Sequence, residues 1–201
     1  LMLDCRSLAA EPMPLPAGVA VVVADSGVRR ELATSEYNVR RAQCEQAVAI
    51  LSEHLPGIRA LRDVSPADLE RLRGHLPEVV YRRARHVVSD IARVQEAAGA
   101  LRRNDVVAFG VLMKDCHVSL RDDYEVSSPE LDRLSEAAWE VPGCYGARLT
   151  GAGFGGCIVA LAATEAVGEL QTHVATDYER AFGRRPAVYV CHSANGVQRV
   201  S

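Results

Sequence analysis

The sequence predicts an α+β domain in which a mostly antiparallel sheet carries a layer of helices. Three observations lead there. Gly18–Ala24, GVAVVVA, is a continuous apolar run of strand length. From Val80 to Ala98 apolar side chains recur at helical spacing. The elements run strand, strand, four or five helices, strand, strand, helix, strand, which lacks the βαβ alternation of a parallel sheet.

Taken in order, Leu1–Asp4 reads as the tail of a strand, and an opening LMLDCRSL without cap or polar lead reads as cut from something longer. Pro12–Pro16 is an extended connector. Gly18–Ala24 has the unbroken apolar pattern of a strand buried on both faces. Asp25-Ser26-Gly27 turns the chain. A helix begins near Ser35. Cys44, Ala47, Val48 and Leu51 form its apolar stripe, and Arg40 interrupts that stripe one turn earlier. Ser65-Pro66 starts a short helix, with serine as N-cap and proline in the first turn.

Pro77 opens the long helix of Val80, Ala84, Val87, Val88, Ile91, Val94 and Ala98. Asn104-Asp105 caps the next, through Val107, Phe109, Leu112 and Met113. Ser128-Pro129-Glu130 starts another, through Leu131, Leu134 and Ala138. Strands follow at Ala147–Thr150 and Cys157–Ala162. Thr164-Glu165 caps a helix that Gly183 stops, and Pro186–Cys191 is the last strand.

Composition narrows the function classes. The 201 residues are 48% hydrophobic and 24% charged, as in ordinary globular domains. A net charge of −3, with charges dispersed, leaves no basic footprint for nucleic acid. There is no apolar run of membrane-spanning length and no signal-peptide pattern at Leu1–Arg6. Six cysteines without a CxxC pair read as reduced, mostly buried thiols of a cytoplasmic protein.

The densest motif is Arg148–Cys157, RLTGAGFGGC, where Gly151, Gly153, Gly155 and Gly156 crowd a tight loop before a strand. Such a loop either lets chain segments pack closely or turns backbone N–H groups toward an anion. No Lys-Ser or Lys-Thr follows, so it is not a Walker A loop. It precedes a strand rather than opening a helix, unlike a dinucleotide fingerprint.

Arg29 and Arg30 follow a strand end, where ligands often gather, or are simply exposed. Tyr37, beside Glu36 at the mouth of a helix, offers a phenol to a sugar hydroxyl or packs on the surface. Asp122-Asp123 reads as a solvated turn rather than a metal site. Ser26 lacks a nucleophile elbow, and the six histidines, His192 included, lack ligand spacing.

Together, DCRSL at Asp4–Leu8, SEYNVRRAQC at Ser35–Cys44, RRARHVVSDI at Arg82–Ile91, SLRDDYEVSSPELD at Ser119–Asp132 and RLTGAGFGGC at Arg148–Cys157 resemble galactokinases, members of the GHMP group of small-molecule kinases. The resemblance implies a ferredoxin-like GHMP kinase C-terminal domain over residues 1–201. It also implies an N-terminal half, absent from this chain, as its partner. The reaction implied is transfer of the ATP γ-phosphoryl group to the anomeric hydroxyl of galactose, with Mg²⁺. ATP and Mg²⁺ would be held mainly by that other half.

Tyr37 matches the family's galactose contact. Arg29, Gly151, Gly153, Gly155 and Gly156 match the nucleotide-phosphate region. The family's catalytic base and its GLSSSA-type phosphate loop have no counterpart in this sequence, so no catalytic or metal-ligating residue is assigned and the chain by itself is expected to be inactive. Ser128 stands where the family often carries cysteine. Sugar-sensing relatives without kinase activity, and kinases for arabinose or N-acetylgalactosamine, share the same pattern.

Overall fold

The structure, a computed structural model, describes residues 1–29 and 33–191, with side chains of the second span from residue 36 onward. Arg30, the side chain of Ser35, and His192 lie outside the described residues.

Four antiparallel strands form the main sheet: β3 (Val19–Asp25), β4 (Cys144–Leu149), β5 (Cys157–Ala163) and β6 (Ala187–Cys191), in the order β4-β5-β3-β6. Val22 lies opposite Ala160 on one side and Val190 on the other. The central strand comes from the start of the chain and its neighbours from the end. A separate pair, β1 (Met2–Leu3) with β2 (Ala10–Glu11), holds the first residues. The helices are α1 (Ala33–Ser52), α2 (Pro66–Arg71), α3 (Glu78–Arg102), α4 (Val106–Asp122), α5 (Pro129–Glu140) and α6 (Val167–Phe182).

Local chemistry explains the helix starts. Ser65 Oγ accepts the Asp68 N–H at 3.1 Å, Asp105 Oδ1 that of Ala108 at 2.9 Å, and Ser128 Oγ that of Leu131 at 3.4 Å. Each such cap stabilises a helix by about 1 kcal/mol. Gly183 ends α6 in the left-handed conformation, φ 69°.

Two cores result. One joins the inner face of the sheet, Val22, Ala24, Ile158 and Ala160, to Leu131 and Leu134 of α5 and Leu170, Val174 and Tyr178 of α6. Burying each large side chain of this kind contributes about 1.5–3 kcal/mol. The other packs Ala47 and Leu51 of α1 on Val80, Tyr81, Ala84 and Val88 of α3, with Leu69 of α2 between them.

Several elements depart from the sequence expectation. β3 alternates between buried and half-buried positions instead of being buried throughout. The core on its inner face comes from α5 and α6, while Val19, Val21 and Val23 point the other way. Ile91 and Val94, on the expected apolar stripe of α3, are exposed, as is Val107 at the start of α4. Only Ala98 continues the buried stripe past the α1 contact. β4 begins at Cys144, before the expected Ala147. Thr164–Ala166 forms a 3₁₀ turn without a side-chain cap ahead of α6. Of the cysteines only Cys116 is buried; Cys5 and Cys191 are exposed, and all six are free thiols.

α4 covers the outer edge of β4 and so closes an otherwise open strand. Leu149 N–H donates to His117 Nδ1 at 3.1 Å, and Ala147 O accepts the Trp139 indole N–H at 3.0 Å. His117 is fully buried. Because its Nδ1 accepts, the ring proton sits on Nε2 and donates to Asp132 Oδ1 at 3.1 Å. Among the described residues no helix is long and apolar enough to cross a membrane.

Candidate functional site

The glycine-rich loop joins β4 to β5, and its backbone is shaped by what presses on it from both sides. Gly151, Gly153, Gly155 and Gly156 all have positive φ, and so does Phe154, at 62°. On one side Phe154 N–H donates to Val126 O at 2.6 Å, and a Cβ on Gly153 would lie 2.1 Å from that same oxygen. On the other side Gly156 N–H donates to Val28 O at 2.9 Å, and a Cβ on Gly155 would lie 2.6 Å from it. Ser26 N–H closes the contact by donating to Gly156 O at 2.9 Å. Glycine is therefore required at 153 and 155 by close backbone approach as well as by φ. Gly151 and Gly156 face open space and owe their glycine to φ alone.

The packing reading of this loop holds. It lets three segments pack, and it leaves N–H groups free. Among the described residues the amides of Gly151, Ala152, Gly153 and Gly155 have no acceptor. Consecutive amides of this kind suit phosphate oxygens. The donor set thus fits the phosphate part of a nucleotide. Among the described residues no three His, Cys, Asp or Glu side chains converge on a metal position.

Arg29 follows directly on Val28, so the turn after β3 places it beside the loop, exposed. Ser26 is buried and fixed in this turn: its Oγ accepts Val28 N–H at 3.2 Å, and its carbonyl accepts the Tyr178 hydroxyl at 2.8 Å. Tyr37 stands near the start of α1, half exposed, with its phenol free of protein partners among the described residues.

Residues 122–126, from the end of α4 toward α5, form a strap whose role local sequence did not show. Five successive carbonyls along it are capped. Asp122 O accepts from Arg82 Nη1 at 3.0 Å, Asp123 O from Arg83 Nη1 at 2.5 Å, Tyr124 O from Arg40 Nε at 2.7 Å and Glu125 O from Arg40 Nη2 at 2.9 Å. Val126 O takes the glycine loop's Phe154 N–H. Side chains reinforce the strap: Glu125 pairs with Arg82 and with Arg83, and Asp123 with Arg85. Burial raises the Glu125 carboxyl, but Arg83 and Arg82 outweigh it and hold the group below its ordinary value. Glu125 has φ 54°, a conformation rare outside glycine.

This corrects the reading of Asp122-Asp123 as a solvated turn. Asp122 is exposed, but Asp123 is buried against Arg85 and Ser119. A carboxylate paired with an arginine costs far less to bury than an unpaired one. The available signal was Arg40, a charge on an apolar stripe, together with three arginines in Arg82–Arg85 matched by three acids in Asp122–Glu125.

A cavity of about 750 Å³ lies between α3, α4 and the first residues, against Met13, Arg93, Phe109 and Met113. Neither Tyr37, Arg29 nor any loop glycine lines it. The candidate site is instead the glycine-rich loop with Arg29 on the adjoining turn and Tyr37 near the start of α1.

The chain is similar to known proteins. Residues 97–179 match the family described as GHMP kinases C terminal. All of the chain is 50% identical to a galactokinase from Roseiflexus sp. (strain RS-1), over 51% of that protein. It is 47% identical over 98% of its length to a human galactokinase, covering 48% of it. A crystal structure of Lactococcus lactis galactokinase complexed with galactose superposes with a TM-score of 0.89 at 36% identity, over 94% of this chain and 49% of that one. The chain therefore spans about half the length of the relatives it matches, and its fold is that of the GHMP kinase C-terminal domain.

Proposed function

We infer that this chain, a relative of the galactokinases along its whole length, forms the C-terminal part of an ATP-dependent kinase that phosphorylates the anomeric hydroxyl of galactose. The observation that carries the reading is the glycine-rich loop. It is locked between Val28 and Val126, its free amides lie beside Arg29, and Tyr37 stands at the start of the helix that follows the same turn.

Phosphoryl transfer is mostly positioning and charge stabilisation. In this reading the amides of Gly151, Ala152 and Gly155, with Arg29, face the nucleotide phosphates, and Tyr37 hydrogen-bonds a galactose hydroxyl. ATP supplies the phosphoryl group and Mg²⁺ offsets its charge. A group to take the sugar proton has to lie within hydrogen-bond reach of the hydroxyl. Among the described carboxylates near this site, Asp123 and Glu125 are held by arginines, Asp25 Oδ1 accepts Gly27 N–H at 2.9 Å, and Glu36, beside Tyr37, lies 3.7 Å from Arg40. The base, the Mg²⁺ site and a second phosphate loop belong to the half that the relatives carry beyond this region. The 201 residues by themselves are inactive.

Galactose-dependent ADP formation with Mg²⁺ tests this. We expect turnover when the chain is joined to a galactokinase-type N-terminal half, and none from the 201 residues alone. Turnover by the short chain would require a base within it, and no turnover by the longer one would overturn the kinase reading.

A further inference from the structure

Arg40 touches three parts of the proposed site's framework, the start of α1, the strap and the glycine-rich loop. It is 9% exposed, one turn after Tyr37 on α1. Its Nε and Nη2 hold the carbonyls of Tyr124 and Glu125 at 2.7 and 2.9 Å, and its Nη1 lies 3.7 Å from Glu36. The guanidinium carbon also stands over the Phe154 ring of the glycine loop, 5.8 Å from its centroid. One planar group thus spans the helix start, the strap and the loop. A planar fork meets two adjacent carbonyls and an aromatic face together, and an ammonium does not.

Burying a guanidinium is costly, and among the described residues no carboxylate lies closer to it than Glu36 at 3.7 Å. The desolvation is met by two backbone carbonyls and a ring. A helix could be docked more simply by an apolar residue, as Ala47 and Leu51 dock the rest of α1. The arrangement makes sense where the angle of the first turns of α1 to the glycine loop has to be fixed. Residues at i and i+3 on a helix are neighbours, so an anchor at Arg40 sets where the Tyr37 phenol points.

We propose that Arg40 is a positioning residue that sets the sugar-contacting Tyr37 in register with the glycine-rich loop, through the carbonyls of Tyr124 and Glu125 and the ring of Phe154. The proposal rests on the galactose kinase reading above. It assigns Arg40 no contact with substrate. Its effect travels through Tyr37, and its loss separates the sugar from the phosphate-facing loop without removing a binding group.

The test is a kinetic double-mutant cycle in the full-length kinase, with Arg40→Lys, Tyr37→Phe and both together. Lysine keeps the charge and the stem but cannot hold both carbonyls. We expect Arg40→Lys to raise the galactose KM about tenfold, to leave the ATP KM within about twofold, and to change the galactose KM by less than about twofold once Tyr37 is phenylalanine. Phe154→Leu removes only the ring beneath the guanidinium. It should raise the galactose KM about threefold with the same dependence on Tyr37, and it carries the test should Arg40→Lys not fold. An unchanged galactose KM in a folded variant, or equal effects in both Tyr37 backgrounds, overturns the proposal. A wild-type protein without galactose-dependent turnover overturns the kinase reading instead, and the proposal with it.

Discussion

Gly110 of α4 and Gly146 of β4 touch backbone to backbone. A Cβ on Gly110 would lie 2.2 Å from Tyr145 O, and one on Gly146 would lie 2.1 Å from Gly110 O. Neither glycine has positive φ, so what they provide is proximity and not conformational freedom. This contact seats α4 against the sheet edge and brings His117 to the Leu149 N–H. Gly110→Ala and Gly146→Ala should each cost about 1–3 kcal/mol or more, since an added methyl there meets backbone that cannot rotate away. Denaturant unfolding measures this. Wild-type stability in both variants would mean that α4 shifts freely along the sheet.

The glycine-rich loop offers a graded test. Gly153→Ala and Gly155→Ala combine positive φ with a clash against Val126 O and Val28 O, whereas Gly151→Ala meets only the φ penalty of about 1 kcal/mol. The first two should lower the melting temperature clearly more than the third, and activity of the full-length protein should fall with it. Equal melting temperatures in all three would remove the case for close approach.

Tyr37→Phe in the full-length protein should raise the galactose KM about two- to tenfold, the equivalent of one hydrogen bond worth about 0.5–1.5 kcal/mol. The ATP KM should hardly move. A changed melting temperature with an unchanged galactose KM would make Tyr37 a structural residue.

His86 predicts an acid-sensitive fold. Burial lowers its pKa to about 4, with Asp90 and Asp123 opposing and Arg93 and Arg148 assisting that shift. Its Nδ1 lies 3.0 Å from Ser119 Oγ and its ring stacks on Tyr124 at 4.5 Å. The folded state therefore holds the ring neutral at pH values where the unfolded chain protonates it. That contribution is fully present above the unfolded value of about 6.5 and is lost progressively as pH falls toward about 4. Denaturant unfolding between about pH 7 and about pH 4.5 should show a shallower loss of stability in His86→Gln than in wild type. Parallel pH profiles would sink this assignment.

Elements and motifs were legible in the sequence because their causes are local. Ser65, Asp105 and Ser128 cap helices through their own next residues, and Gly183 stops one by its own φ. The apolar spacing of Cys44, Ala47, Val48 and Leu51 named the face of α1 that packs on α3. The glycine cluster announced a strained loop, and the family resemblance pointed to Tyr37 and Arg29.

Only the tertiary structure decided what that loop rests on. Val28 and Val126 lie about a hundred residues apart in the chain, and nothing local says that their carbonyls meet the glycine loop from opposite sides. Nor does local sequence say why Asp123 is buried, or that Arg40 interrupts an apolar stripe in order to hold carbonyls 84 and 85 residues away. Half-buried Val21 and exposed Ile91 fail the sequence rule for the same reason. Apolar spacing reports which residues share a face, but whether that face is covered depends on which distant element packs there. Periodicity is a property of a segment, whereas burial and the pairing of a buried charge are properties of the assembled fold.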